Sequence, residues 1–463
     1  MNFAPYHLNP TLWFVLSFLF LISLGTALLM LPGTTSGAPL TQIDALFMSA
    51  SAVCVTGLAV VDVATRLTVF GQNIILILIQ LGGLGIMTFT GFFGYFLSGR
   101  SSYKSQVMFS ELMDEKKLGS VIHLLIRIVM LTFLFEFLGA VLIYLCTDRD
   151  NFETLGEHIF FAIFHSISSF CNAGFSTLSA GLFDETTRFN YTLQIVIAAL
   201  YILGGLGFAI ILNIRIYFIT RVNQLINKLW HKKAVKYKPW LLTFTSRIAV
   251  ITTVILLVFG FVAYFVLEYN NSLAEHPTLY GKIVTAFFAG STPRTAGYNT
   301  VDMTTLSLPV VLIIILLMWI GGSPGSTAGG IRTTTIAVAT LNIINIGRNS
   351  DRMNLFRREV SGESVSKAFA VIALSLVWLG IAISALSLTD GRHGLLALAF
   401  ESFSAFSTVG LTLGLTPSLS TGGKILIVIT MFLGRVGTLT MLVALIKKRR
   451  ERRYRYAEEE VLF

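Results

Sequence analysis

Four short segments hold the residues of this chain best placed to do chemistry: Val55-Thr56-Gly57-Leu58, Asn172-Ala173-Gly174-Phe175, Thr295-Ala296-Gly297-Tyr298 and Thr408-Val409-Gly410-Leu411. In each, small or polar residues lead to a glycine, and an aromatic residue or leucine follows. None pairs a nucleophile with a base, and none supplies a ring of acidic or basic side chains. What they offer is backbone. Glycine reaches conformations closed to other residues, so carbonyls around it can turn inward and replace the water shell of a dehydrated ion. Four such loops around one axis would suit a monovalent cation, held at the carbonyls of Val55, Thr56, Gly57 and their counterparts.

Each segment must be delivered by the stretch before it, which contains Ile43 to Phe47, Ile159 to Phe164, Ile283 to Phe288 or Leu396 to Phe400. About a dozen residues of helix reach roughly 18 Å, too short for a hydrocarbon core about 30 Å thick. The chain must therefore enter the membrane and return. Non-helical backbone at that depth is tolerated only where protein buries it or it lines a watery cavity. The expected fold is thus an all-α membrane protein of four tandem helix, pore loop, helix repeats around a pseudo-fourfold pore. Each half-helix directs the negative end of its dipole at the axis. A second signature recurs after each loop: Leu81-Gly82-Gly83-Leu84-Gly85, Leu203-Gly204-Gly205-Leu206-Gly207, Ile320-Gly321-Gly322 and Leu433-Gly434-Arg435-Val436-Gly437. Two motifs in the same order four times mark internal duplication. The repeats are bounded at 1–100 (loop near 42–60), 101–220 (loop near 157–178), 221–348 (loop near 281–300) and 349–463, the last with a C-terminal tail.

Composition sets the solvent. Apolar residues are 54% of 463 and charged ones 13%, against roughly a quarter charged in soluble domains. Stretches long enough to cross a bilayer lie near 11–31, 71–97, 121–146, 192–218, 241–267, 309–345, 367–388 and 424–446, eight crossings in all. The first lacks a cleavage pattern and reads as a retained helix. Most of the 34 Lys and Arg fall in alternate connections, near 98–120, 214–247 and 331–367, and in the tail. Basic short loops face the cytoplasm, which places both termini there and assigns the net charge of +10 to topology, not to nucleic acid. The run Lys447-Lys448-Arg449-Arg450 reads as a stop-transfer anchor. Cys54, Cys146 and Cys171 suggest neither a disulfide framework nor a zinc site.

One repeat departs from the rest. The apolar stretch at 309–345 is interrupted by Gly321-Gly322-Ser323-Pro324-Gly325-Ser326-Thr327-Ala328-Gly329-Gly330. Glycine costs a helix about 1 kcal/mol and proline about 3, so the helix breaks inside the bilayer, below the loops and on the axis, where a gate would sit. Arg435, at membrane depth, is expensive without a function or partner. It is either an electrostatic barrier to ions, a structural partner of Glu136 or of loop carbonyls, or both. Arg294 reads as a snorkelling or helix-capping charge at the outer interface, and His165 as a packing histidine. A membrane enzyme finds no support, since the seven histidines make no metal-spaced pair and no hydrolase motif is present. A carrier with alternating access would favour two-part repeats around a midplane site.

At the T-x-G core the loops resemble potassium-channel filters. Together with four non-identical repeats in one chain, the sequence resembles the Trk/Ktr/HKT superfamily of potassium transporters, of the type of the KtrB membrane subunit of bacterial Ktr systems. The resemblance spans nearly the whole chain. It implies a channel-like subunit for potassium uptake across the bacterial cytoplasmic membrane, gated by the intramembrane loop. It also implies a homodimer, a cytosolic KtrA-type nucleotide-binding regulatory ring, no covalently bound cofactor, and sodium as an activator left open. In that family glycine in all four filters accompanies potassium selectivity and serine in the first accompanies sodium permeation. Gly57 is intact here. A sodium-permeable or sodium-coupled transporter of the same fold is the alternative.

Overall fold

The computed structural model describes residues 10–98, 121–230, 243–350 and 353–438. The anchor at 447–450, most of the basic connection at 98–120 and the 231–242 part of the next lie outside them. Four short helices, Gln42–Cys54, Leu155–Phe170, Leu279–Ser291 and Leu395–Phe406, each lie between two others. Before them come Pro10–Leu29, Val121–Cys146, Phe244–Glu268 and Gly362–Asp390. After them come Val69–Ser98, Tyr191–Leu206, Leu308–Trp319 and Thr421–Val436. By length and composition three described helices can cross a membrane, Ile126–Cys146, Phe244–Glu268 and Gly362–His393, or four when a bent pair is counted as one.

Local chemistry explains where the short helices start. Thr41, Thr154 and Thr278 accept hydrogen bonds from the amides of Asp44, Glu157 and Gly281 at 3.2, 3.2 and 3.0 Å, each cap stabilising its helix by about 1 kcal/mol. The fourth begins at Gly394 without a side-chain cap.

Polar side chains are buried among apolar ones, and large apolar side chains also face outward. Ser49, Ser51, Thr56, Ser166 and Thr408 are buried, while Phe137, Val258, Val266 and Leu388 face outward, as expected where lipid replaces water. The buried apolar clusters join repeats to one another: one gathers Phe47 and Val53 with Phe175, Ile427 and Met431, another Leu193 and Tyr201 with Phe288 and Tyr298, a third Val310 and Ile314 with Phe400 and Val409. Between the fourth repeat and the first, Lys424 Nζ meets Asp44 Oδ1 at 2.6 Å.

Two expected crossings differ from the structure. The one at 192–218 is two helices, Tyr191–Leu206 and Phe208–Trp230, with a bend of 104° around Gly207. Gly207 takes φ +88°, and the amide of Phe208 donates to Gly325 O at 3.3 Å, so the turn is tied to the broken segment of the third repeat. The helix expected over 424–446 is interrupted after Val436, where Gly437 takes φ +90°, and its part beyond 438 lies outside the described residues. The interruption at 321–330 is present. Helix Leu308–Trp319 ends, and a new one starts at Thr333 and runs to Gly347. The described connection after it is a hairpin pairing Asn354–Leu355 with Arg358–Glu359.

Candidate functional site

The short helices end alike. The amides of Thr56, Ala173 and Val409 turn back to the carbonyls of Ser51, Ser168 and Ser404 at 2.8, 2.7 and 2.9 Å, and that of Ala296 to Thr292 O at 3.0 Å. Side chains then pin the loops in two pairs. Ser51 and Ser404 accept from the amides of Gly57 and Gly410, both at 3.1 Å. Ser168 and Thr292 instead donate to the carbonyls of Phe175 and Tyr298, at 2.8 and 2.7 Å.

The backbone alternates in hand at all four loops. Val55, Asn172, Thr295 and Thr408 take φ of +58°, +61°, +72° and +51°, and the glycines two positions on take +93°, +67°, +77° and +94°, while the residues between stay negative. Positive φ is an outlier for β-branched residues and costs of order 1–3 kcal/mol, so its recurrence at Val55, Thr295 and Thr408 marks a site that the surroundings enforce. Alternation of this kind turns successive carbonyls to one side.

The loops close on each other. A Cβ placed on Gly57 would fall under 3.0 Å from Ala173 O, one on Gly174 2.9 Å from Ala296 O, one on Gly297 under 3.0 Å from Val409 O, and one on Gly410 under 3.0 Å from Thr56 O. The contacts run from first loop to second, to third, to fourth and back to first. Thr56 Oγ1 and Thr408 Oγ1 are buried without a hydrogen-bond partner among the described residues.

The second glycine signature has a physical role that the sequence left open. A Cβ on Gly82, Gly204 or Gly434 would strike the carbonyl of Val53, Phe170 or Phe406 at less than 3.0 Å. Each glycine thus lets the helix after a loop touch the end of the short helix before it, the small-residue contact of membrane helices. Gly205 has no neighbour nearer than Asn172 Nδ2 at 3.5 Å. Gly204→Ala is therefore expected to cost about 1–3 kcal/mol, as overpacking does, and Gly205→Ala little. Thermal unfolding of the two purified variants checks this, and equal midpoints would contradict the packing account.

The broken segment meets the second and fourth loops directly and is linked through side chains toward the third and the first. Its ends lie side by side, with Gly321 N donating to Ile331 O at 2.8 Å and Thr333 N to Gly322 O at 3.0 Å. Thr327 Oγ1 donates to Asn172 Oδ1 at 3.2 Å, and Asn172 Nδ2 passes the connection on to Thr295 Oγ1 at 3.1 Å. A Cβ on Gly329 or Gly330 would press on Thr408 or Ser407. Arg435, 2% exposed, donates to Thr327 O and also to Gly82 O, the latter at 2.6 Å, and Gly82 lies behind the first loop.

Of the partners weighed for Arg435, the loop carbonyls are the ones found. Glu136 instead accepts from Gln80 at 3.1 Å and contacts Cys171 Sγ at 3.7 Å. Arg294 corrects its sequence reading. It is 7% exposed and donates from Nη2 to Gly321 O at 3.1 Å, so it is an interior link to the broken segment and does not snorkel. His165 is packed and bonded, through Phe161 O and Ser176 Oγ, both at 2.9 Å. Arg332 escaped the sequence analysis, since it sits among the basic residues that set topology. Its Nη1 donates to Ala328 O at 2.6 Å and to Ser323 O at 3.3 Å, bracing the segment from within.

The family model for TrkH, described as cation transport protein, matches residues 8–455. The chain belongs to the TrkH family. Among its relatives, the potassium/sodium uptake protein NtpJ of Enterococcus hirae is 35% identical over 98% of this chain and 97% of that protein. The Ktr system potassium uptake protein B of Bacillus subtilis is 35% identical over 98% and 96%, and that of Vibrio alginolyticus 35% over 92% and 89%. The crystal structure of the potassium transporter TrkH from Vibrio parahaemolyticus superposes with a TM-score of 0.72 at 17% identity, covering 96% of this chain and 87% of that one; it establishes the shared fold. A TrkH-family chain is a helical membrane protein, and its relatives are transport proteins, not enzymes.

Proposed function

We propose that this chain is the ion-conducting subunit of a potassium uptake system in a bacterial cytoplasmic membrane, channel-like, with eight crossings and four half-helices arranged as four repeats bounded at 1–100, 101–220, 221–348 and 349–463. The observation that carries the reading is the closed ring in which four glycines, 57, 174, 297 and 410, alternate with the carbonyls of Thr56, Ala173, Ala296 and Val409. A ring of carbonyls flanked by unpartnered threonine hydroxyls, with no charged side chain in it, fits a dehydrated monovalent cation. The filter residues are Val55 to Gly57, Asn172 to Gly174, Thr295 to Gly297 and Thr408 to Gly410. Potassium is the cargo that the names of the Ktr relatives support.

The segment at 321–330, held by Arg435 and Arg294 and in contact with the second and fourth loops, is the gate in this reading. A cytosolic nucleotide-binding ring of the KtrA type would act on it, and two membrane subunits would pair, with both termini on the cytoplasmic side. Membership of a Ktr system in two relatives supports a partner. The second reading, sodium permeation or sodium coupling on the same fold, is favoured by one observation, the potassium/sodium name of NtpJ.

Ion flux into liposomes holding the purified protein separates the two. Potassium and rubidium should enter at least about tenfold faster than sodium, since 1.4 kcal/mol of carbonyl preference already gives that ratio. Equal entry of sodium would favour the second reading. Absence of cation flux from folded protein, with and without sodium, would remove both.

A further inference from the structure

Behind the third loop lies a small cavity, about 20 Å³, bordered by Arg294, Thr253, Tyr201, Ser291, Gly205 and Gly322, with Ile202 and Leu257 on its apolar side. One water needs roughly 10–15 Å³, so the space admits a single small ion or a water or two and excludes phosphate or sulfate. Two polar atoms at this cavity have no hydrogen-bond partner among the described residues, Arg294 Nη1 and Thr253 Oγ1. Both residues are 7% exposed. The hydroxyls of Tyr201 and Ser291 are already engaged with each other at 2.6 Å.

A guanidinium taken out of water needs a counter-charge or full hydrogen bonding. Arg294 has the carbonyl of Gly321 and the C-terminal end of helix Leu279–Ser291, whose dipole supplies about half a negative charge. No carboxylate borders the cavity. Its free groups are donors, one of them cationic, so an anion is the better complement, and the volume limits that anion to one atom.

The geometry points to a buried chloride site between Arg294 and Thr253, in which a monatomic anion neutralises the guanidinium behind the third loop. The inference stands on the cavity and its two orphaned donors and is independent of which cation the chain conducts. The bound anion would let a permanent positive charge brace the broken segment through Gly321 without repelling a cation nearby.

The test is thermal unfolding of the intact purified protein at fixed potassium, with chloride, bromide or gluconate as the anion. A ligand that binds only the folded state raises the midpoint with concentration, so chloride and bromide should raise it by a few degrees over gluconate and saturate. Thr253→Val keeps the side-chain shape and removes one donor, and should abolish most of that increment. A midpoint indifferent to halide overturns the proposal, the cavity then holding water. A halide effect undiminished in Thr253→Val overturns it as well, by placing the site elsewhere. Should that variant fail to fold, anomalous scattering from bromide in wild-type crystals decides: a peak beside Arg294 Nη1 supports the site, and peaks only elsewhere reject it.

Discussion

Removing residues 323–328 raises potassium or rubidium flux through liposome-reconstituted protein by at least about tenfold. The deletion can close, because the two ends of the broken segment already lie together through the Gly321–Ile331 and Thr333–Gly322 hydrogen bonds, and four flexible glycines remain to join them. It takes away the Thr327 hydroxyl that reaches Asn172, the Thr327 carbonyl that receives Arg435, and the Gly325 carbonyl that receives Phe208. It leaves the four filter loops and their serine and threonine pins in place. A cation about 8 Å from a guanidinium is raised by about 2 kcal/mol at an effective dielectric constant of 20, roughly thirtyfold in occupancy, and because the deletion leaves Arg435 and its bond to Gly82 O in place the gain from it is the steric part alone.

Arg435→Ala separates the two contributions. If the charge is the barrier, flux rises while the segment stays. If it is a brace, two buried carbonyls lose their donor at about 1–3 kcal/mol each, and the yield of folded protein falls without a gain in flux. Flux per folded molecule is the quantity to compare, and wild-type values in both variants would leave 321–330 a packing feature alone.

Gly57→Ser lowers the preference for potassium over sodium by roughly ten- to a hundredfold. A side chain there must adopt φ +93° and sits under 3.0 Å from Ala173 O. Strain of about 1–3 kcal/mol relaxes by moving that carbonyl, which belongs to the neighbouring loop, and each 1.4 kcal/mol of altered coordination is a factor of ten. Gly174→Ser is the internal comparison, since its Cβ meets Ala296 O at 2.9 Å, the loosest of the four, and its effect should be the smallest. Bi-ionic flux ratios measure both. A ratio unchanged in Gly57→Ser, in protein that folds, would take this glycine out of the filter.

What was legible in the sequence follows from how local its cause is. The four loops were readable because a left-handed backbone demands glycine at one position, and the break at 321–330 because five glycines and a proline within ten residues cannot stay helical. The positive φ of Val55, Thr295 and Thr408 was not readable, because nothing local favours it. It is imposed by the short helix ending behind and the neighbouring loop beside. The bend at Gly207 was hidden for a related reason: a glycine in an apolar stretch costs a helix only about 1 kcal/mol, Gly204 and Gly205 remain helical just before it, and the deciding partner, Gly325, lies in another repeat. Arg294 was misplaced because a charge near a helix end looks the same whether it meets water or, as here, the carbonyl of Gly321.

The head-to-tail contact of the four glycine loops also bears on how such a chain can change over generations. Each loop's glycine is fitted against the carbonyl of the next, around to the start, so the width of the opening belongs to no single copy. Among the described residues the outer helices and connections carry no such contact and can drift separately. The four glycine loops cannot, because a substitution in one is felt first by its neighbour, and a tolerated change would call for an answering one in a different quarter of the sequence. The four signatures differ in their side chains, Val, Asn, Thr and Thr at the first position, and agree in glycine, the one residue whose replacement would be passed around the circle.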